Sequence, residues 1–146
     1  MAERIDVAER FSWPTRVYWE DTDAGGVVYH GRYVGLLERA RTEWLRALGY
    51  GQERMRQEGL VLAIRSMQLD FRRPARLDDL LDVGAELRDC RRASAVFEQD
   101  IRRGDEVLVA ATVRAAALDA GTFRPRALPD AMYAELKALE TGAARG

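Results

Sequence analysis

The spacing of apolar residues changes from helical to strand-like along the chain, and that change limits the folds the chain can adopt. Between residues 28 and 48 the apolar side chains recur at helical spacing, which predicts one long helix with a single apolar stripe. After residue 66 the period becomes two, in four successive runs. Consecutive strands with short connections favour an antiparallel sheet, and a striped helix can cover one face of it. The sequence therefore predicts an α+β fold.

The predicted elements follow one another in the order strand, long helix and four strands. The helix carries an apolar stripe of Tyr29, Tyr33, Leu36, Leu37, Ala40, Trp44, Leu45 and Leu48, with Gly49 in the position of a C-cap. Its opposite face, which is wet or ligand-facing, carries Arg32, Arg39, Arg41, Glu43 and Arg46. Strands are predicted over residues 14–19, 67–71, 81–88, 94–101 and 106–118, turns over 20–26 and 102–105, and short helices over 52–58 and 129–139. Because the sequence contains no repeat or linker, we expect residues 1–146 to form a single domain with a frayed tail from about Thr141.

Charge, cysteine content and hydropathy exclude several classes of function. The 23 basic and 24 acidic residues almost cancel, so no overall charge attracts nucleic acid or an anionic membrane. Cys90 is the only cysteine, which favours a reducing compartment and, in this chain, a buried thiol. The sequence has neither a signal peptide nor an uncharged run approaching the roughly 18 apolar residues of a membrane-spanning helix. We expect a soluble, cytoplasmic protein that does not insert into membranes.

The short motifs of several common enzyme classes are absent. One histidine and one cysteine cannot supply the three or four ligands of a zinc site. The chain lacks the nucleophile elbow, the P-loop and the dinucleotide fingerprint, which argues against serine hydrolases, nucleotide hydrolases and Rossmann enzymes. Residues 21–26 resemble the opening of a calcium loop, but Gly25 and Arg32 stand where oxygen ligands are needed. We expect neither a metal nor a cofactor.

Three carboxylates, those of Glu20, Asp21 and Asp23, stand immediately before the predicted long helix. In one interpretation they only form a turn, and each acid favours the helix start by about 0.3 to 1 kcal/mol. In the other, unpaired N–H groups at the helix start hold a carbonyl oxygen while a carboxylate attacks the carbon or activates water. The second arrangement contains both halves of acyl-transfer chemistry. The residues alone leave the two interpretations open.

A more specific signal is the run VYWEDTDAGGVVYH over residues 17–30, with ERARTEWL over 38–45. Together with PARLDD at 74–79 and PRALP at 125–129, these segments closely resemble the hotdog-fold acyl-CoA thioesterases. The likeness is nearest to the Tol-Pal-associated branch of the 4-hydroxybenzoyl-CoA thioesterase superfamily, and it covers most of the chain. It implies a five-stranded antiparallel sheet wrapped around a long central helix. It also implies subunits that pair sheet edge to sheet edge, usually as homodimers that form homotetramers, with active sites between subunits.

The resemblance assigns roles to three residues near the helix start. Asp23 takes the position of the catalytic aspartate, either as general base toward water or as nucleophile through a mixed anhydride. The backbone N–H of Tyr29 takes the position that polarises the thioester carbonyl. His30 matches the histidine of the Tol-Pal-associated branch, although a lone histidine near a helix start is also commonly structural. Contact with substrate or water and a structural role both remain open for His30.

Coenzyme A carries phosphates, and the resemblance offers Arg91, Arg92 and Ser94 to bind them. These residues resemble the basic segment that meets the nucleotide 3′-phosphate in the 4-hydroxybenzoyl-CoA enzyme, and arginine forks suit phosphate. Ala93 departs from that pattern, because a lysine stands there in that enzyme. The alternative is a solvated basic loop. Substitute phosphate ligands are Arg65, Arg72, Arg73 and Arg76.

The remaining candidates have weaker roles. Glu38 and Glu43 are interpreted as ion-pairing or interface residues, and Trp13, Trp19 and Trp44 as core or interface anchors. The resulting hypothesis is an acyl-CoA thioesterase that works without metal or cofactor, with acyl carrier protein as a further candidate partner. The alternatives are a non-catalytic module that binds acyl-CoA or acyl carrier protein on the same fold and, with less support, a hotdog dehydratase. The sequence does not predict the acyl group.

Overall fold

The computed structural model describes residues 10–141, which form one five-stranded antiparallel sheet and three helices. In chain order the elements are β1 (Phe11–Arg16), α1 (Arg32–Ala47), α2 (Gln52–Gln57), β2 (Leu60–Phe71), β3 (Leu80–Arg91), β4 (Ser94–Arg103), β5 (Glu106–Asp119) and α3 (Asp130–Ala138). A short 3-10 turn spans Trp19–Asp21. The strand order across the sheet is β1-β3-β4-β5-β2, so β1 and β2 form its two edges.

The core lies between α1 and the face of the sheet that the helix covers. The helix packs across β3, β1 and β4. Leu37 on the helix is fully buried, as are Val83 on β3 and Ile101 on β4, because alternate strand residues point toward it. Farther along the helix, Trp44 meets Phe97 edge to face at 5.8 Å between ring centroids. Each such fully buried side chain contributes about 1.5 to 3 kcal/mol.

This architecture confirms the predicted fold class. The sheet wraps a long helix as in the hotdog arrangement, and the strand, helix and four-strand order is as predicted. The short helices α2 and α3 lie within the predicted ranges. Gly49 follows α1 with a φ of +96°, as expected of a C-cap glycine, and Gly104 turns the β4–β5 hairpin with a φ of +60°.

Two strands begin at least three residues before their predicted start, and β3 and β4 run two or three residues past their predicted ends, to Arg91 and Arg103. The first strand was expected over 14–19, but β1 covers Phe11–Arg16, and Val17 beyond it bonds to the residues before β3, donating its N–H to the Asp79 carbonyl at 2.9 Å. The strand expected over 67–71 begins earlier, at Leu60. A register shift between Ile64 and Ser66 interrupts the alternation of side chains there, so the period-two pattern appears only after it.

The long helix begins later than its apolar stripe indicated. Isolated bridges join Thr22 to Val28 and Val27 to Arg76, so these residues are extended rather than helical. Regular helix starts only at Arg32. The placement of Tyr29 on the buried stripe is therefore wrong, and its side chain is 51% exposed.

Arg41 is also misplaced by the helical pattern, which put it on the wet face. It is only 6% exposed. Its guanidinium donates to Gln99 Oε1 at 2.9 Å, and Gln99 in turn donates to the Leu37 carbonyl at 3.0 Å. The polar pair is thus buried under α1, where each group needs its hydrogen bond.

The edge strand β2 is long and apolar for an edge. It is twelve residues long and pairs with β5 on one side only within the described chain. Ile64 and Phe71 on it are 44% and 52% exposed. Long exposed apolar edges are templates for pairing with another strand, which proteins usually cover or block.

Two further expectations concern hydropathy and the tail. No helix within residues 10–141 is both long and apolar enough to cross a membrane. Thr141, where fraying was expected to begin, is 8% exposed and bonded through its N–H and hydroxyl to the Leu87 carbonyl. The rest of the predicted tail, residues 142–146, lies outside the described residues.

Candidate active site

The hairpin that carries Asp23 is closed by backbone hydrogen bonds on both sides. Asp23 N–H donates to the Val27 carbonyl at 2.9 Å, and Gly26 N–H donates to the Asp23 carbonyl at 3.0 Å. Gly26 has a φ of +79°, which a residue with a side chain rarely adopts. The glycines of the DAGG run therefore permit the tight loop that presents Asp23 at the surface.

The three carboxylates of this segment have different partners. Both carboxylate oxygens of Asp21 have partners, since Oδ2 accepts the Tyr18 N–H at 2.8 Å and Oδ1 pairs with the Arg32 guanidinium at 3.2 Å. Glu20 is exposed and lies 3.7 Å from the same guanidinium. Asp21 thus fits the turn interpretation, as a cap of the 3-10 turn.

Asp23 keeps one carboxylate oxygen available. Its Oδ1 accepts the Gly25 N–H at 2.8 Å, and a Cβ at position 25 would lie only 3.2 Å from that oxygen. No donor among residues 10–141 reaches Oδ2. One oxygen fixes the orientation of the side chain, and the other can accept a proton or attack a carbonyl carbon.

The amide assigned to polarise the carbonyl is occupied in this structure. Tyr29 N–H donates to the Asp21 carbonyl at 2.9 Å, because the hairpin ladder continues through this pair. The following amides, those of His30 and Gly31, have no acceptor among the described residues, and the next bond is from Arg32 N–H to the Tyr29 carbonyl at 2.8 Å. The first free donor before α1 is therefore that of His30, one residue after the predicted one.

A cavity of about 270 Å³ opens beside this helix start. It is lined by Val28, His30, Tyr33, Phe71, Arg72, Arg73 and Pro74. The His30 ring lies 4.5 Å from the Tyr29 ring and 6.3 Å from that of Phe71, measured between centroids. The walls are thus largely apolar, with two arginines at the rim, which suits an acyl group joined to an anionic carrier.

The segment of residues 74–79, called the strap here, is hydrogen-bonded to the hairpin and holds it in place. The Ala75 carbonyl accepts the Val28 N–H at 2.9 Å, and Asp79 accepts the Arg76 N–H at 2.8 Å and the Arg103 guanidinium at 2.7 Å. Burial acts to raise the pKa of Asp79, but these two hydrogen bonds outweigh it and hold the pKa below its ordinary value.

The predicted phosphate ligands lie at the other end of the sheet. Arg91 ends β3 and Arg92 follows it, whereas the strap and hairpin lie where β3 begins. The twelve residues of β3 span about 36 Å at the usual rise per residue. Within one chain, Asp23 and this arginine pair are therefore not brought together.

Both arginines already have partners. Arg91 pairs with Asp89 at 3.2 Å, and Arg92 pairs with Asp130 at 3.0 Å while stacking over the Tyr133 ring at 4.2 Å. All of these ion pairs are on exposed side chains, where such a pair is worth about 0 to 1 kcal/mol. Ser94 begins β4 opposite Arg91 and is half-buried. The pairs can therefore exchange for a phosphate at little cost.

Comparison with known families identifies the class of protein that carries this site. Residues 17–136 match the Thioesterase-like superfamily, which is most of the chain. The chain belongs to the thioesterase-like superfamily. The free Asp23 oxygen, the unpaired amides before α1 and the largely apolar cavity belong to the matched residues.

Individual relatives in the superfamily are similar over nearly their whole length. The acyl-CoA thioester hydrolase YbgC of Escherichia coli O6:H1 is 44% identical over 128 residues, 87% of this chain and 96% of the relative. The acyl-CoA thioesterase YbgC of Haemophilus influenzae is 44% identical over 131 residues, 89% of this chain and 96% of the relative. The crystal structure of a probable thioesterase from Bartonella henselae superimposes with a TM-score of 0.79 at 36% identity, covering 83% of this chain and all of that one.

The other candidate residues separate into buried and exposed groups. Trp44 is a core anchor, whereas Trp13 and Trp19 are 37% and 80% exposed, so the interface role is the one that stays a prediction for them. Cys90 is buried, which raises the pKa of its thiol to about 11. Glu43 pairs with Arg46, as its interpretation expected.

No group of three or more histidine, cysteine, aspartate or glutamate side chains within residues 10–141 is arranged for a metal ion.

The substitute arginines differ in what they contact. Arg72 pairs with Asp70 at 2.9 Å and Arg73 with Glu106 at 3.1 Å, and both line the cavity. The guanidinium groups of Arg65 and Arg76 have no ion-pair partner among the described residues. Tyr33 was assigned only to the apolar stripe, yet it lines the cavity. The sequence held no signal that set Tyr33 apart, because Tyr29 on the same predicted stripe also carries a hydroxyl.

Proposed function

We propose that the chain is an acyl-CoA thioesterase of the Tol-Pal-associated branch, which hydrolyses the thioester to a free acid and CoA. The observation that carries the proposal is the free Oδ2 of Asp23 on the hairpin that leads into unpaired amides and an apolar cavity. The names of the YbgC relatives support acyl-CoA as the substrate.

In this mechanism the thioester carbonyl oxygen accepts the first free amide of the helix start, which is that of His30. Its negative charge grows as a nucleophile adds, and a fixed N–H donor contributes about 10² to 10³ in rate. Asp23 either removes a proton from the attacking water or adds to the carbon itself and forms a mixed anhydride that water then cleaves. Both routes release the CoA thiolate, which takes up a proton, and both need Asp23 ionised. The His30 ring lies beside the same carbonyl position, where it can contact substrate or water.

Subunit pairing through the β2 edge would bring the separated parts of the site together. Phe71, at one end of β2, lies at the Asp23 end of the molecule, since its ring is 5.8 Å from that of Tyr33. The other end of β2 lies at the Arg91 end, because Ala63 and Ser94 both face Ala116 on β5. Two β2 edges related by a two-fold axis run antiparallel. Each hairpin would then face Arg91 and Arg92 of the partner subunit.

This pairing makes the active unit a homodimer, and further association to a homotetramer leaves it intact. The exposed apolar side chains of β2 supply the surface such an edge pairing buries. The nucleotide end of CoA then meets Arg91, Arg92 and Ser94 of the partner subunit rather than of the same chain. The enzyme acts in the cytoplasm, as a lone buried cysteine favours, and acyl carrier protein is a second candidate carrier of the acyl group.

The test of the proposed function is Asp23→Asn, assayed by release of free thiol from a panel of acyl-CoA esters. The amide keeps the shape and loses the charge, so we expect kcat to fall by about 10² to 10⁴ with the fold and oligomer unchanged. Glu20→Gln is the matched control, because it neutralises an exposed carboxylate of the same segment and should keep wild-type turnover. Wild-type kcat in Asp23→Asn would contradict the proposal. Binding of acyl-CoA without thiol release by the wild-type protein would support the non-catalytic binding module instead.

A further inference from the structure

The hydroxyl of Tyr33 is the one polar group on the buried stripe at the start of α1. The side chain is only 3% exposed. Its oxygen accepts the N–H of Ala75 at 3.0 Å, and Ala75 is itself fully buried. Burial raises the pKa of Tyr33, so the group stays a neutral hydroxyl. Without Tyr33 the buried Ala75 amide would have no partner, which the interior tolerates poorly.

The Ala75 amide belongs to a chain of hydrogen bonds that ends at the catalytic hairpin. The Ala75 carbonyl accepts the Val28 N–H at 2.9 Å, and the neighbouring Val27 carbonyl accepts the Asp23 N–H at 2.9 Å. Val27 is also bridged to Arg76. Each link is a backbone bond, so the position of Asp23 relative to α1 depends on where the strap holds residues 27 and 28.

The strap is held from two sides. On the sheet side, Arg103 bonds Asp79 at 2.7 Å. On the helix side, the Tyr33 hydroxyl is the contact that reaches the strap from α1. The helix start also presents the free His30 amide. Tyr33 thus joins the start of α1, which follows the His30 amide, to the strap that holds the Asp23 hairpin.

We propose that Tyr33 is a positioning residue, whose hydroxyl sets the distance between Asp23 and the amides at the start of α1 through the strap. This inference rests on the proposed function, because it concerns the geometry of that reaction. A displacement of about 1 Å between reacting groups can cost 10²-fold in rate. The effect should fall on kcat and spare substrate binding, since Tyr33 keeps its ring in the cavity wall when only the hydroxyl is removed.

The experiment is Tyr33→Phe, compared with Tyr50→Phe as the matched control. Tyr50 also spends its hydroxyl on one side-chain bond, to Glu135 at 2.7 Å, but it lies past the other end of α1. At a temperature well below unfolding, we expect Tyr33→Phe to lower kcat about tenfold or more with KM within twofold, and Tyr50→Phe to keep both. Hydrogen exchange of the Ala75, Val28 and Asp23 amides should accelerate in Tyr33→Phe and not in Tyr50→Phe.

Each outcome either supports the inference or overturns it. A Tyr33→Phe kcat within twofold of wild type overturns it, and so does exchange that accelerates uniformly over the whole sheet, since that is a stability effect alone. Should the variant not fold, the wild-type protein decides: an Ala75 amide that exchanges as fast as an unbonded one overturns the inference. The Asp23→Asn variant distinguishes failure of the Tyr33 positioning role from failure of the proposed thioesterase function. Loss of turnover in Asp23→Asn with wild-type kcat in Tyr33→Phe removes only the positioning role.

Discussion

The two ends of β3 differ in how fully their polar groups are paired. At the beginning of the strand, Asp23 Oδ2 and the His30 amide have no partner among the described residues, and a cavity opens beside His30. At the other end, Arg91 and Arg92 are each paired with an acid. The unpaired end has a free carboxylate oxygen and a free N–H donor, which the proposed reaction uses. At the paired end, an incoming phosphate would have to replace the carboxylates of Asp89 and Asp130.

The comparison shows that the two groups of predicted site residues lie apart in one chain, and in the proposed dimer each chain would supply halves of two different sites. Arg92 is held by Asp130 and Tyr133, and Glu140 anchors the nearby Cys90 amide at 2.8 Å, so this end is fixed by α3 and the residues after it. Loss of turnover is expected from changes at the Asp23 end, as for Asp23→Asn. Changes at the Arg91 end should instead alter recognition of the nucleotide.

The largest effect beyond Asp23→Asn is expected from removing the arginine pair. Arg91→Ala with Arg92→Ala should raise KM for an acyl-CoA ester by about ten- to a hundredfold, because charged hydrogen bonds to a phosphate are lost. KM for the corresponding acyl-pantetheine ester, which has no nucleotide, should stay at the wild-type value. Thiol release over a range of ester concentrations measures both.

Arg88→Ala is the control for that experiment. Arg88 lies on the same strand, is exposed and pairs with Glu98 at 2.9 Å, but it precedes the basic segment. It should leave KM for both esters unchanged. An equal rise in KM for the CoA and pantetheine esters in the double variant would contradict the claim that Arg91 and Arg92 bind the nucleotide.

A smaller effect, on the free energy of unfolding at acid pH, should distinguish the two ends of β3. The folded-state pKa of Asp79 is held below its ordinary value of 3.8, so its charged form stabilises the fold. That contribution is present above pH 3.8 and is lost as the pH falls through the folded-state pKa. Urea unfolding at pH 6 and pH 3 should therefore show a smaller loss of unfolding free energy in Asp79→Asn than in the wild-type protein.

Asp130→Asn provides the matching change at the far end. Its carboxylate is 97% exposed, and an exposed ion pair contributes little to stability. We expect this variant to lose unfolding free energy between pH 6 and pH 3 to the same extent as the wild-type protein. A wild-type acid response in Asp79→Asn would show that the strap is not stabilised by that charge.

The sequence predicted most elements because their periodicity reflects burial, and it missed where tertiary contacts override local pattern. Tyr29 has the spacing of a helical residue, yet the bridges of Val27 and Val28 to other segments keep the chain extended there, and regular helix begins only at Arg32. Arg41 reads as a surface residue because its buried partner, Gln99, is far away in sequence. These contacts are long-range, and no local spacing encodes them.

The candidate site was predictable in its residue types and less so in its geometry. The turn residues indicated a cluster of carboxylates and the family resemblance pointed to Asp23, to which the structure leaves an available oxygen. The free amide is one residue from its predicted position, because the hairpin ladder continues through Tyr29. The separation of Arg91 from Asp23 depends on strand direction and length, which motif spacing does not contain. The assigned roles of Asp23, His30, Arg91, Arg92 and Ser94 remain predictions.

The central claim is that each active site combines Asp23 of one subunit with Arg91 and Arg92 of its partner. The most direct measurement is thiol release, at a CoA-ester concentration below KM, by mixed dimers of Asp23→Asn subunits with Arg91→Ala, Arg92→Ala subunits. Random pairing should restore about a quarter of the wild-type sites, because half the dimers are mixed and each of these holds one intact site. Activity no higher than the mean of the two parent variants would contradict the claim.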